Sequence, residues 1–345
     1  MPAAPRTAAR AALTLVLLAL LLGALAVIAS GLGFIAVSPG EVLDAVLGSL
    51  RGAAGSPEAL RQSVVLDVRL PRIVTAMSVG FGLAVAGAVF QGLLLNPLAD
   101  PFTLGVSSGA AFGAALALLL GLHFLGPATL GATAFLGAAA TLVAVMALSG
   151  RDNDLAPTNL ILSGVIVSAI LSAGISFIKY LADERVASIV FWLMGSFVSR
   201  TWTDAALTAS VTLAGFAVCL HHARDLNIMS LGARSARSLG VDTRRVRLVL
   251  LLTASLISAV CVSVSGIIGF VGLIVPHLMR LAVGPDNRVL LPASGLAGAL
   301  LLLCADTLTR AALPHEVPIG VLTALIGGPA FCWIFTRTRS GRRHG

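Results

Sequence analysis

Lysine is all but missing: Lys179 is the only one in 345 residues. A P-loop needs a Gly-rich turn followed by Lys and Ser or Thr to hold phosphates. The chain therefore does not hydrolyse ATP by that route, and ATP-driven work would need another subunit. Charge of either sign is scarce, at 11% of residues against about 25% in a soluble domain. Meanwhile 57% of residues are hydrophobic and mean hydropathy is +0.99. A soluble chain of this length could not hide so much apolar surface, so soluble classes are excluded and the bilayer is the solvent. A net charge of +8 would point to nucleic acid in a soluble protein. Here the arginines flank apolar runs and read as topology signals. Metal-ligand spacing is also lacking. His123, His221, His222, His277, His315 and His344 are scattered, and no H-E-x-x-H occurs. The pair His221-His222 sits at an expected membrane edge and reads as interfacial. Cys219, Cys261, Cys304 and Cys332 each stand alone in an apolar run and read as buried small hydrophobes.

What is present is a succession of spanning-length apolar segments. They lie near 11–33, 73–95, 103–124, 127–149, 157–181, 205–222, 248–267, 289–313 and 317–336, with a shorter one at 268–283. The expectation is an all-α polytopic membrane protein of nine or ten spans, built as one domain over residues 1–345. The run from Ala11 to Ala29 exceeds the roughly 7–15 residues of a signal-peptide core, so it is expected to be a retained first span. The 36 glycines suit helices that must approach closely. With ten spans and the N-terminus inside, 15 of the 23 Lys and Arg face the cytoplasm. The positive-inside rule prefers that arrangement, with both termini cytoplasmic. Residues 34–70 would lie outside and hold an amphipathic helix begun by Ser38-Pro39-Gly40-Glu41. Residues 224–247 would lie inside as a basic, Gly-broken pair of short helices. Composition leaves open whether that segment rests on anionic lipid or docks a soluble partner.

Few residues carry chemistry. Gly105-Val106-Ser107-Ser108-Gly109 fits the G-x-S-x-G elbow, with His277 and His315 as candidate bases. The elbow needs a strand-to-helix turn, whereas this sequence opens an apolar helix. The spacing of Gly105, Gly109 and Gly113 favours helix packing instead. An intramembrane serine hydrolase using Ser107 or Ser108 is the alternative of another class. Charges at membrane depth are costly and tend to be functional; Arg72, Lys179, Arg280, Asp306 and Arg310 qualify. Asp306 and Arg310, four apart, are expected to neutralise one another. Arg69 and Arg72 flank Pro71 and would either snorkel or offer charge to an acidic partner. The stretch from Gly266 through Gly269, Gly272 and Pro276 to His277 breaks a helix at membrane depth. Such a break is tolerated only when buried in protein or lining a cavity, which favours a transporter or channel.

Together these residues resemble the FecCD family of ABC importer permeases. The carriers are Arg69-Leu-Pro-Arg72, Gln91-Gly92, Asn96-Pro-Leu-Ala-Asp-Pro101 and Leu104-Gly-Val-Ser-Ser-Gly-Ala110. Further along come Phe191-Trp-Leu-Met-Gly-Ser196, Ser238-Leu-Gly-Val241, Gly269-Phe-Val-Gly-Leu-Ile-Val-Pro-His277 with Arg280, Ala305-Asp306 with Arg310, and Pro318-Ile-Gly-Val-Leu-Thr-Ala324. The resemblance implies a type II ABC importer permease fold of ten helices, in a homodimer around a central pathway. Two cytoplasmic ATPase subunits, which carry the ATP and Mg, would dock below. A substrate-binding protein, periplasmic or a lipoprotein, would dock above. The chain itself would need no cofactor and no metal and would not be an enzyme. It would sit in the bacterial inner membrane and pass an iron chelate, ferric siderophore or haem, by alternating access, with cobalamin as the alternative cargo. Segment 228–247 would form coupling helices, with Leu231, Gly232, Ala236, Leu239, Gly240 and Val241 at the ATPase contact. Arg69, Arg72 and Arg310 would meet the binding protein. Pro157, Thr158 and Asn159 would lie at the cytoplasmic gate, residues 184–200 would form an outer gate helix, and the fifth and tenth spans would line the pathway. One departure from the family pattern is Leu95, where many members carry a basic residue.

Overall fold

Our computed structural model describes residues 5–33, 37–38, 40–42, 63–149, 155–311 and 317–341. Every regular element among them is helical. The long helices are α1 (Pro5–Gly31), α2 (Leu70–Leu93), α3 (Val106–Leu120), α4 (Thr129–Ser149) and α5 (Pro157–Leu181). A short α6 (Val186–Leu193) precedes α7 (Trp202–His221). Two further short helices, α8 (Ala223–Met229) and α9 (Ala233–Ser238), lead to α10 (Thr243–Ser265). The chain then forms α11 (Val271–Val283), α12 (Asn287–Ala311) and α13 (Ile319–Gly341). Seven of these helices are long and apolar enough to cross a membrane, and Val106–Leu120, Val271–Val283 and Ile319–Cys332 are shorter apolar helices. That makes ten among the described residues, at the positions the hydropathy gives.

Local chemistry sets the helix starts. Pro157 opens α5, where a missing N–H costs nothing, and Pro71 follows a π-helical turn, Val64–Arg69, that runs on into α2. Thr201 and Asp204 form a reciprocal capping box at α7, and Asp242 accepts the Arg245 N–H at 3.0 Å to start α10. Ser38 and Glu41 make the same reciprocal pair, at 2.7 and 3.3 Å, so the expected helix start after residue 37 is present. The remainder of that expected helix lies outside the described residues.

Burial sorts the spans. The apolar window of the α2 span is 78% buried and that of α10 is 72%, whereas α1 is 6% and α5 only 17% buried. So α2 is the axis of the bundle, packed by α12, α7, α10 and α11. Its small residues explain why. A Cβ on Gly87 would overlap the carbonyl of Gly272 in α11, and one on Gly80 would overlap that of Gly298 in α12. Backbones in van der Waals contact maximise dispersion where lipid supplies no hydrophobic drive. Gly109 and Gly113 likewise seat α3 on Gly137 and Thr133 of α4, while Gly105 faces Gly164 and Ser168 of α5.

Cysteine burial departs from expectation. Cys219 and Cys261 are buried, but Cys304 and Cys332 are exposed. In a membrane protein the outward face is also apolar, so hydrophobicity alone does not distinguish inside from outside.

Candidate functional site

At one face of the bundle the charged residues of α2 and α12 converge. Arg72 places Nε and Nη2 on Asp306 Oδ1 at 2.9 and 2.8 Å. Arg69 Nη1 donates to the carbonyls of Ser30 and Gly31 at 2.8 and 3.1 Å, and Arg310 Nη2 donates to Ala29 at 2.8 Å. Two of these guanidiniums thus hold the C-terminal carbonyls of α1, where a helix end carries partial negative charge. Asp306 thus pairs across helices with Arg72, a partner the sequence reading did not give it. Arg69 and Arg72 do not snorkel: Arg69 is 4% exposed, and Arg72 and Arg310 are each 7% exposed.

The broken helix lies further along α2, where Gly272 packs on Gly87. After Ser265, Gly266 takes φ 70°, and Phe270 sits at φ 68°, a left-handed conformation uncommon for a bulky residue. The break is satisfied by other chain breaks. Ser196 N–H donates to Ser265 at 2.8 Å, Ile319 N–H to Gly195 and Gly320 N–H to Met194, both at 3.0 Å. A Cβ on Gly195 would come within 2.6 Å of the Ile267 carbonyl. The segment after α6, the α10–α11 break and the start of α13 are therefore one backbone braid, partly buried in protein and partly lining a cavity beside Ser196, Arg200 and Gly266. Arg200 Nη1 closes it by donating to Val264 at 2.7 Å. Segment 184–200 is thus bonded directly to α13.

Deeper in, Gln91 explains two motifs at once. Pro276 has no N–H to give the Gly272 carbonyl one turn earlier. Gln91 Nε2 reaches that carbonyl at 3.5 Å and the Leu273 carbonyl at 3.0 Å, while its Oε1 accepts from Arg280 Nη1 at 3.1 Å. Ser107 does not behave as a nucleophile. Its Oγ is buried with no hydrogen-bond partner, and Gly105 at φ 77° opens a helix from a turn, not from a strand. His315 lies outside the described residues.

The opposite face carries the basic segment. Gly232 at φ 98° and Gly240 at φ 85° turn the chain at either end of α9, and nothing lies within 4 Å of where a Cβ would sit on either. In and beside these turns the expected contact residues divide. Leu231 and Leu239 are 65% and 62% exposed, whereas Ala236 and Val241 are buried in the core. Pro157, Thr158 and Asn159 form the first turn of α5 at this face, with Thr158 exposed and the Asn159 carbonyl accepting from Ser149 Oγ at 3.3 Å. Arg247 Nη1 ties the preceding turn to α10 through Leu155 at 3.3 Å. In the 94–105 turn, burial pushes the Asp100 carboxyl above its ordinary range, opposed by its hydrogen bonds from Thr103 and Phe102.

Sequence reading missed a cluster here. Asn227 bonds Asp286 and Asn287, and Asp286 pairs with Arg288 at 2.6 Å. The hydrogen bond from Arg288 holds the Asp286 carboxyl down at about 2. The Asp286-x-Arg288 turn was legible as a cap, but nothing local marks Asn227 as its partner. Among the described residues no group of three His, Cys, Asp or Glu is placed to hold a metal ion.

Comparison with known proteins agrees with this geometry. The profile of the FecCD transport family matches residues 13–337. The cobalamin import system permease protein BtuC of Halobacterium salinarum is 44% identical over 283 residues, covering 81% of this chain and 75% of that one. The hemin transport system permease protein HmuU of Yersinia pestis is 41% identical over 286 residues, covering 80% and 84%. A solved inward-facing structure, described as a metal-chelate type ABC transporter, superposes with TM-score 0.81 at 38% identity, covering 94% of this chain and 98% of that one.

Proposed function

The chain belongs to the FecCD transport family and is the permease subunit of an ABC importer, and on that premise we propose that it passes a bulky iron chelate, ferric siderophore or haem, across the bacterial inner membrane by alternating access. ATP is hydrolysed by a separate ATPase subunit. The observation that carries the coupling role is the pair of leucines, Leu231 and Leu239, held out on an otherwise basic face. Exposed apolar side chains with a polar surround mark a protein contact. This face and both termini would be cytoplasmic, a reading that the basic residues around the leucines support.

Two copies of the chain would enclose the pathway, lined by α5 and α13. The support is α5 itself, a span with only 17% of its window buried. The gate turn Pro157-Thr158-Asn159 would close the cytoplasmic side and the braid around 194–200 the outer side. Arg69, Arg72 and Arg310 would serve binding-protein docking by holding the rim in shape, since their guanidiniums turn inward. Gly232 and Gly240 would act as turns that present the leucines, and Ala236 and Val241 as the core that seats them.

An iron chelate is proposed because one relative named above is a hemin transport permease and the structural neighbour is of metal-chelate type, while the cobalamin permease keeps cobalamin as the alternative cargo. The test is uptake by a deletion strain supplied with one ferric siderophore, haem or cobalamin. Loss of siderophore or haem uptake supports the proposal, and loss of cobalamin uptake alone overturns it. For the coupling role, Leu231→Asp with Leu239→Asp is expected to release the ATPase subunits on purification. Retention of both subunits with normal transport refutes that role.

A further inference from the structure

Asn227 lies on α8, within the turn before the proposed coupling segment, and uses both halves of its amide on the start of α12. Its Nδ2 donates to Asp286 Oδ1 at 2.7 Å. Its Oδ1 accepts from the Asn287 N–H at 2.9 Å and from Asn287 Nδ2 at 2.7 Å. Three hydrogen bonds from one short side chain fix both distance and orientation between the two elements. The receiving turn is itself stiff. The Asp286 carbonyl accepts from Val289 and Leu290 at 3.0 and 2.8 Å, and its Oδ1 accepts the Arg288 N–H at 3.0 Å. Asn287 is buried and is the first residue of α12. A shift of α8 therefore carries the first turn of α12 with it.

α12 leads from there to the other face. Its 25 residues rise about 37 Å at about 1.5 Å each, enough to cross the hydrocarbon core. At the far end Asp306 receives Arg72, and Arg310 reaches the Ala29 carbonyl. Between the ends, Gly298 meets Gly80 with no room for a Cβ, so α12 and the axial helix α2 are in backbone contact. A packed helix clamped at both ends transmits displacement instead of absorbing it.

We infer that α12 carries the conformational signal between the ATPase face and the binding-protein face, and that Asn227 is the positioning residue joining the coupling segment to it. This rests on the coupling role proposed above for segment 228–247 and adds what that segment moves. Leu231 and Leu239 receive the motion of the ATPases, and the Asn227 amide passes it to Asp286 and Asn287. Linkage makes the coupling reciprocal: docking at the outer face is felt at the ATPases through the same rod.

The test uses the complete importer, the permease with its own ATPases and binding protein, in liposomes, and reads cargo imported per ATP hydrolysed. Asn227→Asp removes the Nδ2 donor and sets a second carboxylate against Asp286, while keeping an acceptor for Asn287. The expected result is that the ATPases stay bound while import per ATP falls about tenfold, within the usual range of allosteric coupling. Stimulation of hydrolysis by the loaded binding protein falls with it. Adding Asp286→Asn returns a donor to the pair and is expected to restore the ratio to within about twofold, as in a coupled double-mutant cycle. Asn227→Ser covers the case in which the carboxylate variant does not assemble, with the same fall expected. A staple that only stabilised the turn would lower the yield and leave import per ATP unchanged. That outcome overturns the inference, as does a loss that Asp286→Asn fails to restore. Release of the ATPases by Asn227→Asp also overturns it, because Asn227 would then shape the docking surface. Retention of the ATPases by the Leu231 and Leu239 double variant would instead sink the coupling role itself.

Discussion

Removing the carboxylate at Asp306 should cost far more than the ion pair contributes. Arg72 and Asp306 meet at 2.8 Å with side chains 8% and 0% exposed. At an effective dielectric of about 20 the gross attraction is about 6 kcal/mol. Desolvating the two ions offsets most of it, at several kcal/mol each. The net value of the pair is therefore small, but losing one member takes away a buried charge's counter-ion among packed helix ends. Asp306→Asn is expected to destabilise by about 3–5 kcal/mol, the usual cost of breaking a buried pair from one side. Arg72→Met should cost a similar amount by taking this counter-ion from the carboxylate. The double variant Arg72→Met with Asp306→Leu should cost much less than the sum, because neither charge is then buried alone. Denaturant unfolding of the purified chain in mild detergent gives all three values. A loss below about 1 kcal/mol for Asp306→Asn, or strict additivity in the double variant, would refute the reasoning, since a buried, coupled pair excludes both.

Three further outcomes follow from the geometry. Gly87→Val would drive a side chain into the Gly272 carbonyl; it should prevent α2 and α11 from seating and abolish monodisperse protein on size exclusion, whereas Gly23→Val, with nothing within 4 Å, should be tolerated. Gln91→Leu keeps the volume but strips the donor from the carbonyl that Pro276 leaves open. It should cost about 1–3 kcal/mol of stability for the buried group left unmatched, and Gln91→Glu should not rescue it, because a carboxylate has no N–H to give. The Asp286 carboxyl is held down at about 2 from an ordinary 3.8. A depressed acid stabilises the fold above its unfolded value and loses that contribution as pH falls through the folded one. The stability gap between the wild type and Asp286→Asn should thus be full above about pH 4 and close towards pH 2; a gap constant across that window in detergent unfolding would rule out the charge as its origin.

The sequence alone determined the membrane class, the positions of nine or ten spans and the broken helix, which follow from hydropathy, glycine spacing and local punctuation acting within a few residues along the chain. Its ordered motifs carried the resemblance to the family. Composition marked segment 228–247 only as a long basic stretch that rests on lipid or docks a partner, and the family resemblance chose the partner. The sequence did not reveal which partner each polar group takes. Arg72 chose Asp306 over open water, and Gln91 took the carbonyl freed by Pro276, 181 and 182 residues from its own acceptors. Asn227 found Asn287 across 60 residues. Ala236 and Leu239 look alike as apolar residues in a short helix, yet one is core and the other exposed. In lipid both the packed interior and the outer surface are apolar, so hydrophobicity loses its power to tell them apart. Only the packing of whole helices then decides which polar groups meet, because a buried donor or acceptor must find its partner wherever the fold brings one within reach.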